Sequence, residues 1–506
     1  MKKILSLVIV SVCISSAIQA QLASPDQEAW DAIKFSQNFP TLSARSLSMG
    51  GAFSSLGGDF SSSYINPAGL GLYRKSEFVF SPYLGLSTTK ANYLGETNTD
   101  YKYQFSLSNI GYVGTFITNK EKGLVSASYA LGYNRINNFN NRVNIVGTNE
   151  RTSLIDYFMN PGGNNINGTD PEDLDPFTNR LAFDAYLIDT TAGTNFEYTT
   201  PVMYRNQQRR IIESRGGTGQ WNFAFGLNFN NIWYVGAGLG INQISYETQM
   251  SHTEINRDPA ESDFANFTYT EKEVVNGHGI NFNFGTMVRL FEIVRLGASF
   301  QTPTFYRLDE SYKNSMYSEF KSGFVPTDDL GEIYANGEYS YRMATPMKLQ
   351  AGASIQLGKM GIISSDIEFL DYSKIHFKSI DDPSFEDNND FLPDMYGKVV
   401  NFKIGGEARF DNLFVRLGGG LYQNPYATSD LTRFYGKNNT SELTAGFGFR
   451  TSSFFFDLGF SSLSNKKDKY LLYSAYDPRS TNDLIDNVST INQNRFRFVA
   501  SLGFRF

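Results

Sequence analysis

The chain ends in Arg495-Phe496-Arg497-Phe498-Val499-Ala500-Ser501-Leu502-Gly503-Phe504-Arg505-Phe506. Phe496, Phe498, Ala500, Leu502, Phe504 and Phe506 share one parity, and Arg495, Arg497, Val499, Ser501, Gly503 and Arg505 share the other. A strand sends successive side chains to opposite faces, so one face of this segment is oily and the other is charged or small. A last strand with an unbroken apolar face, closed by Phe504 and Phe506, is the signal expected of a transmembrane β-barrel. Its oily face would meet lipid and its arginine face a wet lumen.

The same alternation recurs upstream. Trp221, Phe223, Phe225, Leu227 and Phe229 oppose Asn222, Ala224, Gly226 and Asn228. Val400, Phe402, Ile404 and Ala408 oppose Asn401, Lys403, Glu407 and Arg409. Runs of this kind fall near 76-90, 102-118, 122-137, 218-230, 232-250, 270-290, 293-310, 338-357, 360-378, 396-410, 413-425, 436-451, 453-473 and 492-506. They predict an all-β fold, a transmembrane antiparallel β-barrel of about 14 strands.

The connections alternate in length. Short ones fall at Asn119-Lys120, Asn230-Asn231, Phe291-Glu292, Gly358-Lys359, Asp411-Asn412 and Ser452-Ser453. Long ones fall at 91-101, 138-217, 251-269, 311-337, 379-395, 426-435 and 474-491. Membrane barrels have short periplasmic turns and long external loops. A soluble two-sheet protein has no reason to keep this order. The 138-217 stretch is too long for a plain loop. Helical spacing over 177-187 predicts a partly helical external cap.

The N-terminus fits an outer-membrane destination. Lys2 and Lys3 precede an apolar run from Ile4 to Ile14 and small residues up to Ala20. This pattern predicts a signal peptide over 1-20, removed in the mature protein. The run is too short for a bilayer-spanning helix. Cys13, the single cysteine, would leave with it, which excludes disulfides and cysteine-based sites. The formal net charge of −7 argues against nucleic acid as a partner.

Residues 21-75 lack strand alternation and are expected to form a plug inside the barrel of 76-506. Glu28 to Phe39 has the spacing of a short amphipathic helix. Ala44-Arg45-Ser46-Leu47-Ser48-Met49-Gly50-Gly51, then Asp59, then Asn66-Pro67-Ala68-Gly69-Leu70 follow, ahead of the first strand. Asn66-Pro67 is a turn signal, because proline biases the preceding residue away from helix and Asn bonds its own backbone. The glycine ladder Gly236, Gly238, Gly240 alternates with apolar residues. It therefore reads as a strand face making space for the plug, with no nucleotide fingerprint.

In these residues and in its architecture the chain resembles the FadL family of outer-membrane transporters, which includes the toluene transporters. The resemblance implies a 14-stranded barrel closed by an N-terminal hatch. It also implies passive uptake of hydrophobic small molecules such as long-chain fatty acids. In that reading Asn66, Pro67, Ala68 and Gly69 are the hatch gate. Release would be lateral, through a break in the third strand, for which Gly132 is the only candidate. Relatives of this barrel also serve protein export, so an interaction component of an export machine is the alternative. A third reading is a simple diffusion porin.

Arg matches carboxylates bidentately, and Arg45 and Arg74, both in the hatch, are the candidate partners for a ligand carboxylate. Lumen-facing charges on the strands, among them Lys348, Asp366, Glu368, Lys403, Glu407, Arg416, Asp457 and Arg497, are expected to form cross-strand ion pairs. The three histidines, His252, His278 and His376, belong to no Ser-His-Asp grouping and show no metal-ligand spacing. No enzyme activity, metal or cofactor is expected. The partners expected are a hydrophobic ligand and membrane lipid around a monomer.

Overall fold

The computed structural model describes residues 27–257, 262–326, 333–380, 383–429, 432, 438–477 and 483–506. The expected signal peptide lies outside them. Fourteen antiparallel strands close into one barrel. They are β1 (Glu77–Tyr93), β2 (Glu96–Ile117), β3 (Leu124–Asn138, continued by Asn141–Asn149), β4 (Asn206–Phe229), β5 (Trp233–Ile255), β6 (Phe264–Leu290), and β7 (Val294–Gln301 with Phe305–Phe320). The circuit continues with β8 (Ile333–Ala344 with Lys348–Leu357), β9 (Gly361–Asp371 with His376–Ser379), β10 (Lys398–Phe410), β11 (Leu413–Tyr422), β12 (Thr440–Arg450), β13 (Phe454–Tyr476) and β14 (Leu484–Arg505).

The terminal strand does what its alternation predicts. β14 pairs with β1, Glu77 opposite Arg505 and Phe78 opposite Phe504, which abolishes the sheet edge. Phe506 and Ser76 exchange two main-chain hydrogen bonds of 3.1 Å. The Phe506 ring stacks against Tyr112. Phe504 is exposed on the outer face while Arg497, Ser501 and Gly503 are buried inside. The tight turns need left-handed backbone, and Asn230 and Asn231 supply it at φ +57° and +56°. No helix among the described residues is long and apolar enough to cross a membrane.

Several loops are shorter than expected. Residues 91-101 are not a loop: β1 and β2 run on to a tight turn at Leu94–Gly95, with Tyr93 opposite Glu96. β5 likewise continues to Ile255, β7 to Phe320 and β13 to Tyr476. The physical reason is that alternation of oily and polar side chains marks only the part of a strand that faces lipid. Above that band both faces meet water or the cap, and the pattern fades while the backbone ladder continues.

The third strand also differs from expectation. β3 pairs with β2 only from Ile117/Ser126 to Asn109/Asn134. Beyond that point Phe139–Asn140 interrupts it, and its continuation pairs with β4 alone. The break is not at Gly132, which lies opposite Gly111 within the paired part. Both glycines instead leave room for the Phe60 ring from inside.

Residues 150-205 fold over the external mouth with two short helices, α1 (Leu154–Met159) and α2 (Asn179–Asp184). Leu154, Ile155, Phe158, Leu181, Ala182 and Leu187 pack onto Phe264, Phe267, Tyr269 and Tyr473 of the strand tops. The helix expected over 177-187 is α2. α1 is held by a capping box between Ser153 and Asp156.

Candidate functional site

Residues 41-73 lie inside the barrel, and almost every side chain there is buried. Three short turns of helix shape the segment: Ala44–Ser48, Ser62–Ile65 and a 3₁₀ turn at Pro67–Leu72. Ser43 caps the first, accepting from Ser46 N–H at 3.1 Å. Asn66 caps the last, with its Oδ1 accepting from Ala68 N–H at 3.1 Å. The Asn66 Nδ2 donates to the carbonyls of Ser54 at 2.7 Å, Thr286 at 3.2 Å and Ala298 at 3.3 Å. The Asn-Pro-Ala-Gly turn thus ties the segment to itself and to β6 and β7 at once.

The wall is hollowed to receive it. A Cβ on Gly285 would stand 1.8 Å from Asn66 Oδ1, and one on Gly236 2.3 Å from the Pro67 carbonyl carbon. The expected role of Gly236 is therefore met. Gly238 and Gly240 face neighbouring wall side chains instead. On the opposite side Asp366 of β9 accepts from the Phe53 and Ser54 amides, each at 2.9 Å, and from Ser54 Oγ at 2.7 Å.

Arg45 and Arg74 both have protein partners. Arg45 Nε and Nη2 reach Glu407 Oε2 and Oε1 at 2.9 and 3.1 Å. Glu407 also accepts from Arg416 Nε at 2.6 Å, and Arg416 reaches Asp457 at 2.7 Å. Arg74 sits at the short-turn end, donating to Ser126 Oγ at 3.0 Å and Asn231 Oδ1 at 2.5 Å. The bidentate carboxylate contact expected of Arg45 exists, but the carboxylate is Glu407. Most of the strand charges pair across strands as expected: Arg497 with Glu442, Arg505 with Glu77, and Lys403 with Glu368.

Lys348 is not so paired. It is buried on β8, and among the described residues no carboxylate lies within ion-pair distance of it. Its Nζ donates to Tyr64 Oη at 3.3 Å and lies 4.4 Å from the Tyr64 ring centre. It borders a cavity against the plug, lined by Phe39, Leu42, Leu47, Tyr64, Ile65, Leu370, Tyr372 and the Lys403–Glu368 pair. Glu442, paired with Arg497, also borders it. The cavity is only about 40 Å³, room for a few waters. The parity of Lys348 places it in the lumen, but the groups around it depend on the register of three strands.

Above the plug, helix Gln27–Ser36 occupies an aromatic chamber. Its Ala29, Ala32, Ile33 and Phe35 pack onto Phe139, Tyr246, Tyr306, Tyr341, Tyr372 and Tyr396. Lys34 bonds Asp31 and the Tyr246 hydroxyl, both at 2.7 Å. The Tyr396 hydroxyl donates to the Ala29 carbonyl at 2.8 Å. The chamber is walled by aromatic rings and also holds charge, the Lys34–Asp31 pair with Glu273 and Glu310 nearby.

Beside it the wall is not continuous in main-chain hydrogen bonds. From Leu107 upward, no main-chain ladder joins β2 to the β3 continuation among the described residues. Side chains bridge instead. Lys102 pairs with Glu213, Arg142 lies 3.4 Å from Asp100, and Arg135 Nε donates to the Leu107 carbonyl at 3.3 Å. The outer face here carries Tyr101, Tyr103 and Phe105, the last 77% exposed.

In the cap, Asp156 is half-buried and its carboxyl is pushed up to about 7, first by loss of hydration and further by the nearby Glu254. His252 lies in a buried network with Arg210 and Glu254 at 3.2 and 3.1 Å. His278 faces outward. Among the described residues no cluster of acids, histidines and cysteines could hold a metal ion.

No protein-family model and no curated protein matches the sequence. Solved structures do match in fold. A FadL homologue of Pseudomonas aeruginosa aligns with a TM-score of 0.54 at 15% identity, over 92% of this chain and 98% of that one. The toluene transporter TodX of Pseudomonas putida aligns with a TM-score of 0.52 at 13% identity, over 93% of this chain and all of that one. At such identities the likeness concerns architecture, and the architecture of this chain is that of the FadL-type outer-membrane transporter barrels.

Proposed function

We propose that the protein is a passive outer-membrane channel for hydrophobic small molecules, with long-chain fatty acids or similar anionic amphiphiles as its substrates. One observation carries this reading: residues 41-73 pack against the inward face of the strands and leave a cavity of only about 40 Å³ beside Lys348, while β2 and the continuation of β3 lack main-chain pairing. A water-filled pore has neither feature. A path for oily molecules needs both, because it must exclude water below and open into lipid at the side. An alkyl chain passing the cap would meet the aromatic chamber around Tyr246 and Tyr341. Its carboxylate would find Lys348, a buried side chain with no carboxylate within ion-pair distance among the described residues. Asn66, Pro67, Ala68 and Gly69 act in this reading as the gate, because they bind the plug to the wall that must release it. Arg45 and Arg74 hold the plug and its rim, and either would reach a ligand carboxylate only after letting go of its present partners.

The export-machine reading rests on the 138-217 segment as a docking surface. The apolar side chains of that segment turn onto the strand tops, and no observation favours it over transport.

Purified protein is tested for binding of radiolabelled oleate and of toluene, as the full chain and with residues 21-75 deleted. Saturable oleate binding lost on deletion supports the proposal. High single-channel conductance of the full chain in planar bilayers, with no binding of either compound, overturns it.

A further inference from the structure

We propose that a groove on the lipid-facing wall, over the joint between β1 and β14, is a binding site for one acyl chain of a membrane lipid. Small side chains at Pro82, Ala445 and Ala500 leave a hollow among Leu84, Phe447 and Phe498. The hollow is a shallow trough, open along its length, of about 550 Å³. It spans β12 to β2 and ends at Phe105.

A second, independent feature coincides with it. The β1–β14 ladder runs from Glu77 to Phe80, stops, and resumes at Tyr83 opposite Val499. The β1–β2 register shifts at the same place, between Ser81 and Pro82. Proline offers no N–H to the ladder, so the joint that closes the barrel is interrupted at the floor of the groove. Behind the interruption Ser81 and Ser501 hydroxyls lie 2.6 Å apart, and Ser501 Oγ accepts from the Ala44 amide at 2.8 Å. The wall between bilayer and plug is here a single layer of backbone.

The occupant follows from the surroundings. The groove is continuous with the face that meets hydrocarbon. Its one side-chain polar atom, the Tyr83 hydroxyl, is turned inward and accepts from Asn138 Nδ2 at 3.0 Å. Nothing there receives a headgroup, so the site takes an alkyl chain whose polar end lies elsewhere. Between apolar surfaces in lipid, packing decides association, and an unfilled hollow forfeits its dispersion contacts. A chain seated across the joint covers the interruption and packs against the rims.

The full-length protein is reconstituted with a phospholipid that carries a diazirine in its acyl chain, with no transport substrate present. After irradiation, adducts are mapped by mass spectrometry. Adducts concentrated at 82–84, 445–447 and 498–500, with about a ten-fold drop in Ala500→Phe or Ala445→Leu, support the site. Ile363→Phe, on the lipid face of β9, serves as the control and leaves them unchanged. Two variants are used so that either one, verified as folded by its heat-modifiable mobility, decides. Adducts spread evenly around the lipid face, or undiminished in the folded groove variants, overturn the proposal.

Discussion

Arg45 in the lumen and Glu407 on β10 form a bidentate ion pair across 362 residues of sequence, at 2.9 and 3.1 Å. The pair is nearly buried on both sides, and among the described residues it is the one ion pair between residues 41-73 and the wall. Breaking a buried pair from one side costs about 3–5 kcal/mol when the other charge is stranded. Glu407 keeps Arg416, so Arg45→Met is expected to cost less, about 1–3 kcal/mol. The loss should appear as faster hydrogen exchange over residues 44-51 and as new ion conductance in planar bilayers. Unchanged exchange there would show that the pair does not hold the plug.

Glycines on the wall set the seat of the plug. Gly236→Ala is expected to unseat the Asn66 turn, because its Cβ would stand 2.3 Å from Pro67. Gly406→Ala is the comparison, with its nearest atom at 3.9 Å. The first variant should leak large antibiotics into cells and the second should not. Equal leakage from the two would refute the steric account.

Lys348→Met should separate ligands by charge. A charge-assisted hydrogen bond contributes about 1.5–3 kcal/mol, so oleate binding should weaken by roughly ten- to hundred-fold. Binding of an uncharged alkane should change little. An equal loss for both compounds would mean that the lysine shapes the cavity and does not recognise the head.

Side chains that reach from β2 to β4 over the β3 continuation can be joined without introducing new residues. Lys102 and Glu213 are in contact, and a carbodiimide would link them through an amide. The linked protein should still bind oleate and should deliver it to vesicles more slowly than the unlinked protein. Delivery at the same rate would place the exit elsewhere.

The cap should loosen as pH rises. Asp156 titrates near 7 in the fold against an ordinary 3.8, so between these values the folded cap holds a proton that the open cap has released. Its contribution to cap stability is largest at low pH and declines as pH rises to about 7. Proteolysis of residues 150-205, taken as the ratio of wild type to Asp156→Asn at each pH, should rise from pH 5 to pH 8. A flat ratio would show that the carboxyl does not lose its hydration as described.

The strand-by-strand plan was legible in the sequence because lipid imposes a two-residue period on every segment that crosses it, as in Trp221 to Phe229. The short turns were legible for a related reason: they must reverse within two or three residues, which selects residues such as Asn230, Asn231 and Gly358. The luminal segment stood out because it lacks that period. The heights of the strands were not readable. Above the bilayer both faces of β1 and β2 are wet, and the loop expected at 91-101 proved to be strand.

The site was less legible than the barrel. Arg45 and Lys348 are both cations facing a lumen, and nothing in their neighbours along the chain tells them apart. Register decides it: Glu407 lies on the strand facing Arg45, and among the described residues no carboxylate comes within ion-pair distance of Lys348. The gap in main-chain pairing was equally hidden, since β3 departs from β2 at Asn134 without a glycine or proline to mark the place. Sequence alone determined that the chain is a lipid-facing cylinder with an N-terminal segment to fill it, because those properties follow from local periodicity. Which charges stay unpaired, where the wall parts and how the plug is seated were decided only by tertiary structure, because each depends on atoms brought together from hundreds of residues apart.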